Sequence, residues 1–278
     1  MKQRILLIVS GICVSAMSSQ AALIAHYTFN EAAGATVAAN DVSGSTAGVV
    51  GANVTTGVAG MNGNAYSFGG ATANQADIVD MGNASFFAAI TTSNKYTLSA
   101  WVKTADTTGN RNTVVFAGSS TVNNIYADLG VAAGQAGALG AASARNRPTG
   151  AVAPQDSGIY STPVVAPVNN NAWHLLTMTV DISTSKLSLY VDGVLANTQT
   201  MSIGSLPTFN NFEIGRLGRL APVDPYSGLV DDVQVYDQAL TLSQVQFMFT
   251  NPGAVVPEPG TLALAGLGLL SLVRRKRA

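Results

Sequence analysis

The residues able to do chemistry are few and scattered. The chain has two histidines, His26 and His174, and one cysteine, Cys13. Between residues 22 and 256 it carries only two glutamates, Glu31 and Glu213, against 12 aspartates. Glycoside hydrolysis needs two carboxyls about 5–10 Å apart, one of them kept protonated. The two glutamates lie in unrelated segments, and the adjacent Asp231 and Asp232 would point to opposite faces of a regular strand. No nucleophile elbow, phosphate-cradling glycine loop or His-Glu-x-x-His helix occurs. His174 follows Trp173 at a strand start, and His26 sits beside Tyr27 in the first strand; both suit packing and hydrogen bonding. The expectation is therefore a protein without catalytic residues. Aspartate also favours turns, where it bonds its own backbone. Calcium needs oxygen ligands on such turns. The best candidates are Asp41-Val-Ser-Gly44 and Gly228-Leu-Val-Asp231-Asp232. A second set, Tyr126, Tyr160 and Tyr226 near Asn123, Asn124, Arg145, Arg147, Arg216 and Arg219, has the types a sugar site uses, with nothing to fix its geometry.

Both ends read as addresses. Met1-Lys2-Gln3-Arg4, an apolar stretch over 5–16 and a small-residue exit form a signal peptide over residues 1–21, with cleavage after Ala21. Cys13 lies inside it, so the mature chain lacks cysteine. The other end runs Pro257-Glu258-Pro259, then 13 largely apolar residues over 261–273, then Arg274-Arg275-Lys276-Arg277. A stable membrane span needs about 20 residues, so this short segment suits processing better than permanent anchoring. Its cations would hold the extreme end in the cytoplasm. This order of features resembles the PEP-CTERM sorting signal of Gram-negative bacteria. The resemblance implies an exosortase partner, export across the inner membrane, and delivery to the cell surface, outer envelope or extracellular matrix. Contact with the membrane would then pass only through the tail, before processing.

The whole chain has 14 basic and 15 acidic residues. Without the two ends it keeps 8 basic and 14 acidic, a charge near −6. That excludes a basic nucleic-acid binder. A mildly anionic domain also suits a cationic partner such as Ca²⁺.

The elements that must position these residues are strands. Short alternating segments separated by Gly, Asn, Asp and Pro indicate a sandwich or barrel. Tyr96 to Lys103 alternates with period two. Leu176, Met178 and Val180 share one face, as do Leu187, Leu189 and Val191. Asp192-Gly193 makes a tight turn into a return strand from Val194 to about Thr200. Thr241 and Gln244 form a capping box for one short helix, with Val245, Met248 and Phe249 on one face. Asn83 to Ile90 suggests another helical turn. Gly130 to Pro167, rich in Gly, Ala and Pro, predicts a long mobile loop. Residues 251–256 are expected to be a linker between a 22–250 domain and the 257–278 tail.

Seven blocks stand in the order of a laminin-G-like domain of the concanavalin A-like superfamily. They are His26 to Glu31, Asp41 to Gly44, Ala65 to Phe68, Tyr96 to Lys103, Trp173-His174, Leu187 to Gly193, and Tyr226 to Tyr236 followed by Gln238 to Thr241. The resemblance implies an all-β jelly-roll sandwich of two antiparallel sheets, closed by the short C-terminal helix. It also implies a binding or adhesion module, often for glycans. Hydrolytic relatives carry a Glu-x-Asp-x-x-Glu motif that this chain lacks. Related domains hold a structural calcium between N- and C-terminal segments, so Asp41 and Asp231 or Asp232 are expected to share one Ca²⁺. Trp101 and Trp173 occupy strand positions of the family and are expected in the core. The functional expectation is an exported lectin-like surface or matrix protein, with polysaccharide as its partner. A matrix component without a discrete ligand is the alternative, and a polysaccharide-active enzyme the least favoured.

Overall fold

The computed structural model describes residues 21–257 apart from 71–74, 109–110, 135–137, 149–156, 162–164 and 203. The signal stretch before Ala21, Glu258, Pro259, the apolar run and the terminal cations lie outside the described residues. In chain order the elements are β1 (Leu23–Tyr27), β2 (Val37–Ala38), β3 (Gly48–Val50), β4 (Thr55–Ala59), β5 (Asn64–Gly69) and β6 (Val79–Gly82). Then come α1 (Phe87–Ser93), β7 (Lys95–Lys103), β8 (Asn112–Gly118), β9 (Tyr126–Ala132), β10 (Ala141–Arg147) and β11 (Ser157–Tyr160). Last are β12 (Trp173–Asp181), β13 (Lys186–Val191), β14 (Val194–Thr200), β15 (Asn211–Ile214), β16 (Ser227–Tyr236) and α2 (Leu242–Thr250).

They form two antiparallel sheets. The first runs β14-β13-β12-β7-β16-β5-β4, with β1 also on β16; the second runs β11-β10-β9-β8-β15-β6-β3-β2. The inner faces enclose the main core, as the alternation requires. Leu98, Ala100 and Val102 of β7, Leu176, Met178 and Val180 of β12, and Leu187, Leu189 and Val191 of β13 are all buried in it. The expected jelly-roll sandwich is present. Asp192 (φ 50°) and Gly193 (φ 76°) both take the left-handed conformation that links β13 to β14 in two residues.

The C-terminal helix forms where its capping box places it. The Thr241 side chain accepts from the Gln244 N–H, and the Gln244 side chain accepts from the Thr241 N–H. Val245 and Met248 then bury against the outer face of the first sheet, with Trp101, Leu175, Tyr190 and Tyr236. Trp101 is 2% exposed, and Trp173 packs at the edge of the same cluster. Both tryptophans therefore sit in a second core under the helix, not between the sheets. The other helix starts at Phe87, later than expected, and ends where Asn94 turns left-handed (φ 55°).

Two expectations need correction. The predicted loop over 130–167 contains the end of β9 and all of β10 and β11. Ala142 and Ala144 supply the inward face of β10 with small side chains, so the strand carries no large apolar alternation. Gly130 is required for packing, since a Cβ there would lie 2.4 Å from the Asn112 carbonyl oxygen. The predicted linker over 251–256 is also held to the body. Gly253 N–H donates to Asp232, the Gln234 amide donates to the Ala254 carbonyl, and Val256 N–H donates to the Tyr236 hydroxyl. Val256 is buried in the cluster under the helix.

Candidate functional site

The acidic residues come first. A β-bulge in β16 inserts one extra residue between Asp231 and Gln234, opposite Trp101 and Ser99, and Asp232 there has φ 50°. The bulge turns both carboxylates to the outer face of the first sheet, where a regular strand would have parted them. Asp231 Oδ2 accepts from Met61 N–H (2.8 Å) and Asn62 N–H (2.9 Å), while its buried Oδ1 has no partner among the described residues. Burial pushes the Asp231 carboxyl up to about 7; the Asn62 N–H opposes this and neighbouring Asp232 adds to it. Asp232 is bonded by His26 Nε2, by the Gln234 amide and by Gly253 N–H. Asp41 is exposed, and its N–H donates to the His26 carbonyl (2.9 Å). Among the described residues no group of three or more His, Cys, Asp or Glu side chains is placed to hold a metal ion. Donors, not further acceptors, surround Asp231 and Asp232. The described residues do not gather Asp41, Asp231 and Asp232 into one such group, and Asp231 Oδ1 stays buried without a partner among them.

The possible catalytic residues are engaged elsewhere. His174 bonds Asp192 through Nδ1 (2.7 Å) and Asn170 through Nε2 (3.0 Å). Glu213 faces Asp80 across β15 and β6, a pairing that the separation of the two segments in sequence hides. Both Glu213 oxygens are taken: Oε2 by Arg216 Nε (2.6 Å), and Oε1 by Arg216 Nη2 (3.1 Å) and the Asn211 amide (2.8 Å). The Asp80 carboxylate caps its own turn at Gly82 N–H. Arg216 and Asn211 thus hold Glu213 by both of its oxygens.

The tyrosine–arginine set separates into distinct groups. On the outer face of the second sheet, Asp128 is fully buried and accepts from Arg111 Nη2 (2.8 Å) and Arg145 Nε (2.8 Å). Burial raises its carboxyl, but the two guanidiniums outweigh burial and hold it below the usual carboxylate range. Arg145 and Arg147 lie over the Tyr126 ring at 4.9 and 5.2 Å, and Arg147 Nη1 donates to its hydroxyl. Arg216 belongs to Glu213. Arg219 donates to the carbonyls of Asn123 and Ala221, and the Asn123 side chain accepts from Ala221 N–H. Tyr226 is buried, with its hydroxyl on the Leu229 carbonyl. These contacts brace strands and loops.

Tyr160 alone of the three tyrosines lines an open cleft. It lies between β11 and β14, the edge strands at one end of the two sheets. The cleft holds about 450 Å³ and is lined by Ala138, Gly158, Ile159, Tyr160, Asn197, Thr198 and Gln199. The Asn197 amide donates to the Tyr160 carbonyl (2.8 Å) and ties the two sheets together there. Gln199 Oε1 has no partner among the described residues. Arg111 stands 5.9 Å from the centre of the Tyr160 ring. An aromatic ring beside amides and a hydroxyl can stack on a sugar and accept from its hydroxyls. Asn197 and Gln199 are absent from the sequence-level candidates. Their signal was the polar run from Asn197 to Thr200 that closes β14, a mark of an edge strand.

Two packed antiparallel sheets with a polar edge cleft define a lectin-like sandwich. The chain belongs to the Concanavalin A-like lectin/glucanases superfamily, whose laminin-G-type model matches residues 74–246. Residues 255–277 match the PEP-CTERM protein-sorting motif. No curated protein matches the chain. Among solved structures, it is similar to domain 4 of AbnA, a GH43 extracellular arabinanase from Geobacillus stearothermophilus, solved in complex with arabinotriose. The two are 21% identical with a TM-score of 0.60, over 82% of this chain and 98% of that one. It is also similar to the botulinum neurotoxin serotype D ligand binding domain in complex with N-acetylneuraminic acid (14% identity, TM-score 0.58, 83% of this chain and 51% of that one). The botulinum neurotoxin type G receptor binding domain gives 11% identity and a TM-score of 0.57, over 82% and 51%. The chain thus spans about half of each toxin chain. At these identities the likeness is one of fold.

Proposed function

We propose that this is an exported, non-enzymatic surface or matrix protein whose sandwich binds carbohydrate in the cleft between β11 and β14. The observation that carries the reading is the open polar cleft itself, where Tyr160 stands beside Asn197, Thr198 and Gln199. The Tyr160 ring offers a stacking surface beside amide and hydroxyl groups, the combination that a sugar engages. The full commitment of Glu213 and His174 to protein partners supports a role without catalysis. Complexes of domain 4 of AbnA with arabinotriose and of the serotype D toxin domain with N-acetylneuraminic acid support carbohydrate as the ligand class.

The sorting motif supports the rest: removal of residues 1–21, recognition of Pro257-Glu258-Pro259 by an exosortase, and delivery to the surface of a Gram-negative cell. Calcium keeps one place in this proposal, Asp231 Oδ1. A Ca²⁺-dependent rise in Tm that Asp231→Asn abolishes supports it there. A Tm indifferent to Ca²⁺ and to chelator removes calcium and leaves that oxygen to a proton.

A panel of oligosaccharides presented to the full chain tests the function. Saturable binding to a subset is expected. Uniform silence would favour a matrix component without a ligand. Release of reducing ends from polysaccharide would favour an enzyme.

A further inference from the structure

Both exits from the folded body converge on the end of β16, at Tyr236 and Asp237. Leu23 pairs across from Tyr236, and Ala22 N–H donates to Asp237 Oδ1 (2.9 Å) while the Asp237 N–H donates to the Ala22 carbonyl. At the other end Val256 N–H donates to the Tyr236 hydroxyl. Ala21, Leu23 and Val256 all pack into the cluster under α2. The chain is therefore fixed to the outer face of the first sheet up to residue 256. The apolar run starts at Thr261, five residues on, which fully extended span at most about 18 Å.

Several large apolar side chains are exposed on that same face, among the polar Ser243, Gln246 and Thr250. The helix α2, Leu-Ser-Gln-Val-Gln-Phe-Met-Phe-Thr, has no ionisable side chain. Leu242 is 45% exposed, and Phe249, stacked on Trp101 at 5.8 Å, is 36% exposed. Val194, Leu195, Met61 and Val255 are also exposed. Leu195, opposite Tyr190, shares the outer face with α2, and the turn before it lies against the helix: a Cβ built on Gly193 would sit 3.4 Å from Phe249 Cβ. Met61 and Val255 flank the docked segment, where Met61 N–H donates to Asp231 and Gly253 abuts Asn62. A surface helix normally presents charge to water. This one presents Leu and Phe.

We propose that in the unprocessed chain the α2 face rests on the lipid surface, with Leu242, Phe249, Leu195 and Val255 at the headgroup level. The occupant is a bilayer because both chain exits on this face lead to apolar segments flanked by cations, the C-terminal one within about 18 Å. The absence of carboxylates on α2 spares the contact repulsion from anionic lipid. Docking would also leave Pro257-Glu258-Pro259 at the membrane surface, where a membrane-embedded processing enzyme works. This inference rests on the reading of residues 257–278 as a sorting tail.

The test uses the full chain with Cys13→Ser, reconstituted in phosphatidylethanolamine–phosphatidylglycerol vesicles. A polarity-sensitive dye is placed at Leu242→Cys or Phe249→Cys, and for comparison at Val49→Cys in β3 or Val122→Cys in the β8–β9 connection. The expected result is a blue-shifted emission and loss of iodide quenching at 242 and 249 only. Chains that fail to float with vesicles would overturn the tail reading itself. Chains that float with all four dyes equally quenched would overturn the docking alone. Protection at 242 that persists in lipid-free solution would show a second copy on this face and also overturn it. Leu242, more exposed than Phe249, keeps the test available if Phe249→Cys does not fold.

Discussion

The outer faces of the two sheets are closed in opposite ways. The first sheet is covered by α2 and the 251–256 segment, over Trp101, Leu175, Tyr190 and Tyr236. The second carries Arg111, Arg145, Arg147, Asp128 and Tyr126, braced by hydrogen bonds and ring contacts. Under α2 the first face is held by apolar burial, with the Asp231–Asp232 bulge beside it, and it tolerates size changes there in a graded way. The other is held by buried charges, where loss of one partner strands the rest. The β11–β14 cleft opens at the edge where the two sheets meet, so its lining belongs to both.

The largest expected effect is on the charged face. Asp128→Ala should cost about 3–5 kcal/mol in denaturant unfolding, because Arg111 and Arg145 lose their shared buried counter-charge. On the apolar face, Met248→Ala should cost about 2–4 kcal/mol, scaled by how far the helix settles into the gap. Near-equal losses with Asp128→Ala well below 2 kcal/mol would erase the contrast between the faces.

Acid sharpens the same comparison. The Asp128 carboxyl is depressed when folded, so its contribution is present above the unfolded carboxylate pKa and is lost as pH falls through the folded value. Unfolding free energy should therefore drop steeply below about pH 4 in the wild type. In Asp128→Asn the drop should be shallower. An identical acid slope in the two proteins would remove Asp128 from the account.

The smallest stability effect expected is at the helix cap. Thr241→Ala should cost about 1 kcal/mol, with Thr241→Ser close to wild type. A cost above 2 kcal/mol would mean that α2 matters more to the first sheet than its packing implies.

The two faces also differ in how far they could be read from sequence. The first sheet was legible because Leu, Met, Val and Trp alternate along β7, β12 and β13, and because Thr241 and Gln244 announce the helix. The second was hidden because β10 reads Ala-Ala-Ser-Ala-Arg-Asn-Arg, in which the inward residues are too small to mark a face. Its period-two signal was polar: Ser143, Arg145 and Arg147 alternate with Ala and Asn. The bulge at Asp232 could not be anticipated, since a positive φ at an aspartate inside a strand leaves no compositional trace. The candidate site was half visible. Tyr160 stood among the sequence candidates, while Asn197 and Gln199 needed the pairing of the sheet edges to bring them beside it.

The central claim is that carbohydrate enters the β11–β14 cleft. The most direct measurement is the affinity of wild type, Tyr160→Ala and Gln199→Ala for the best oligosaccharide found in the panel, with Tm measured on the same samples. The account predicts at least about a tenfold loss of affinity in each variant, equivalent to about 1.4 kcal/mol, with Tm nearly unchanged. Wild-type affinity retained in both variants would contradict it.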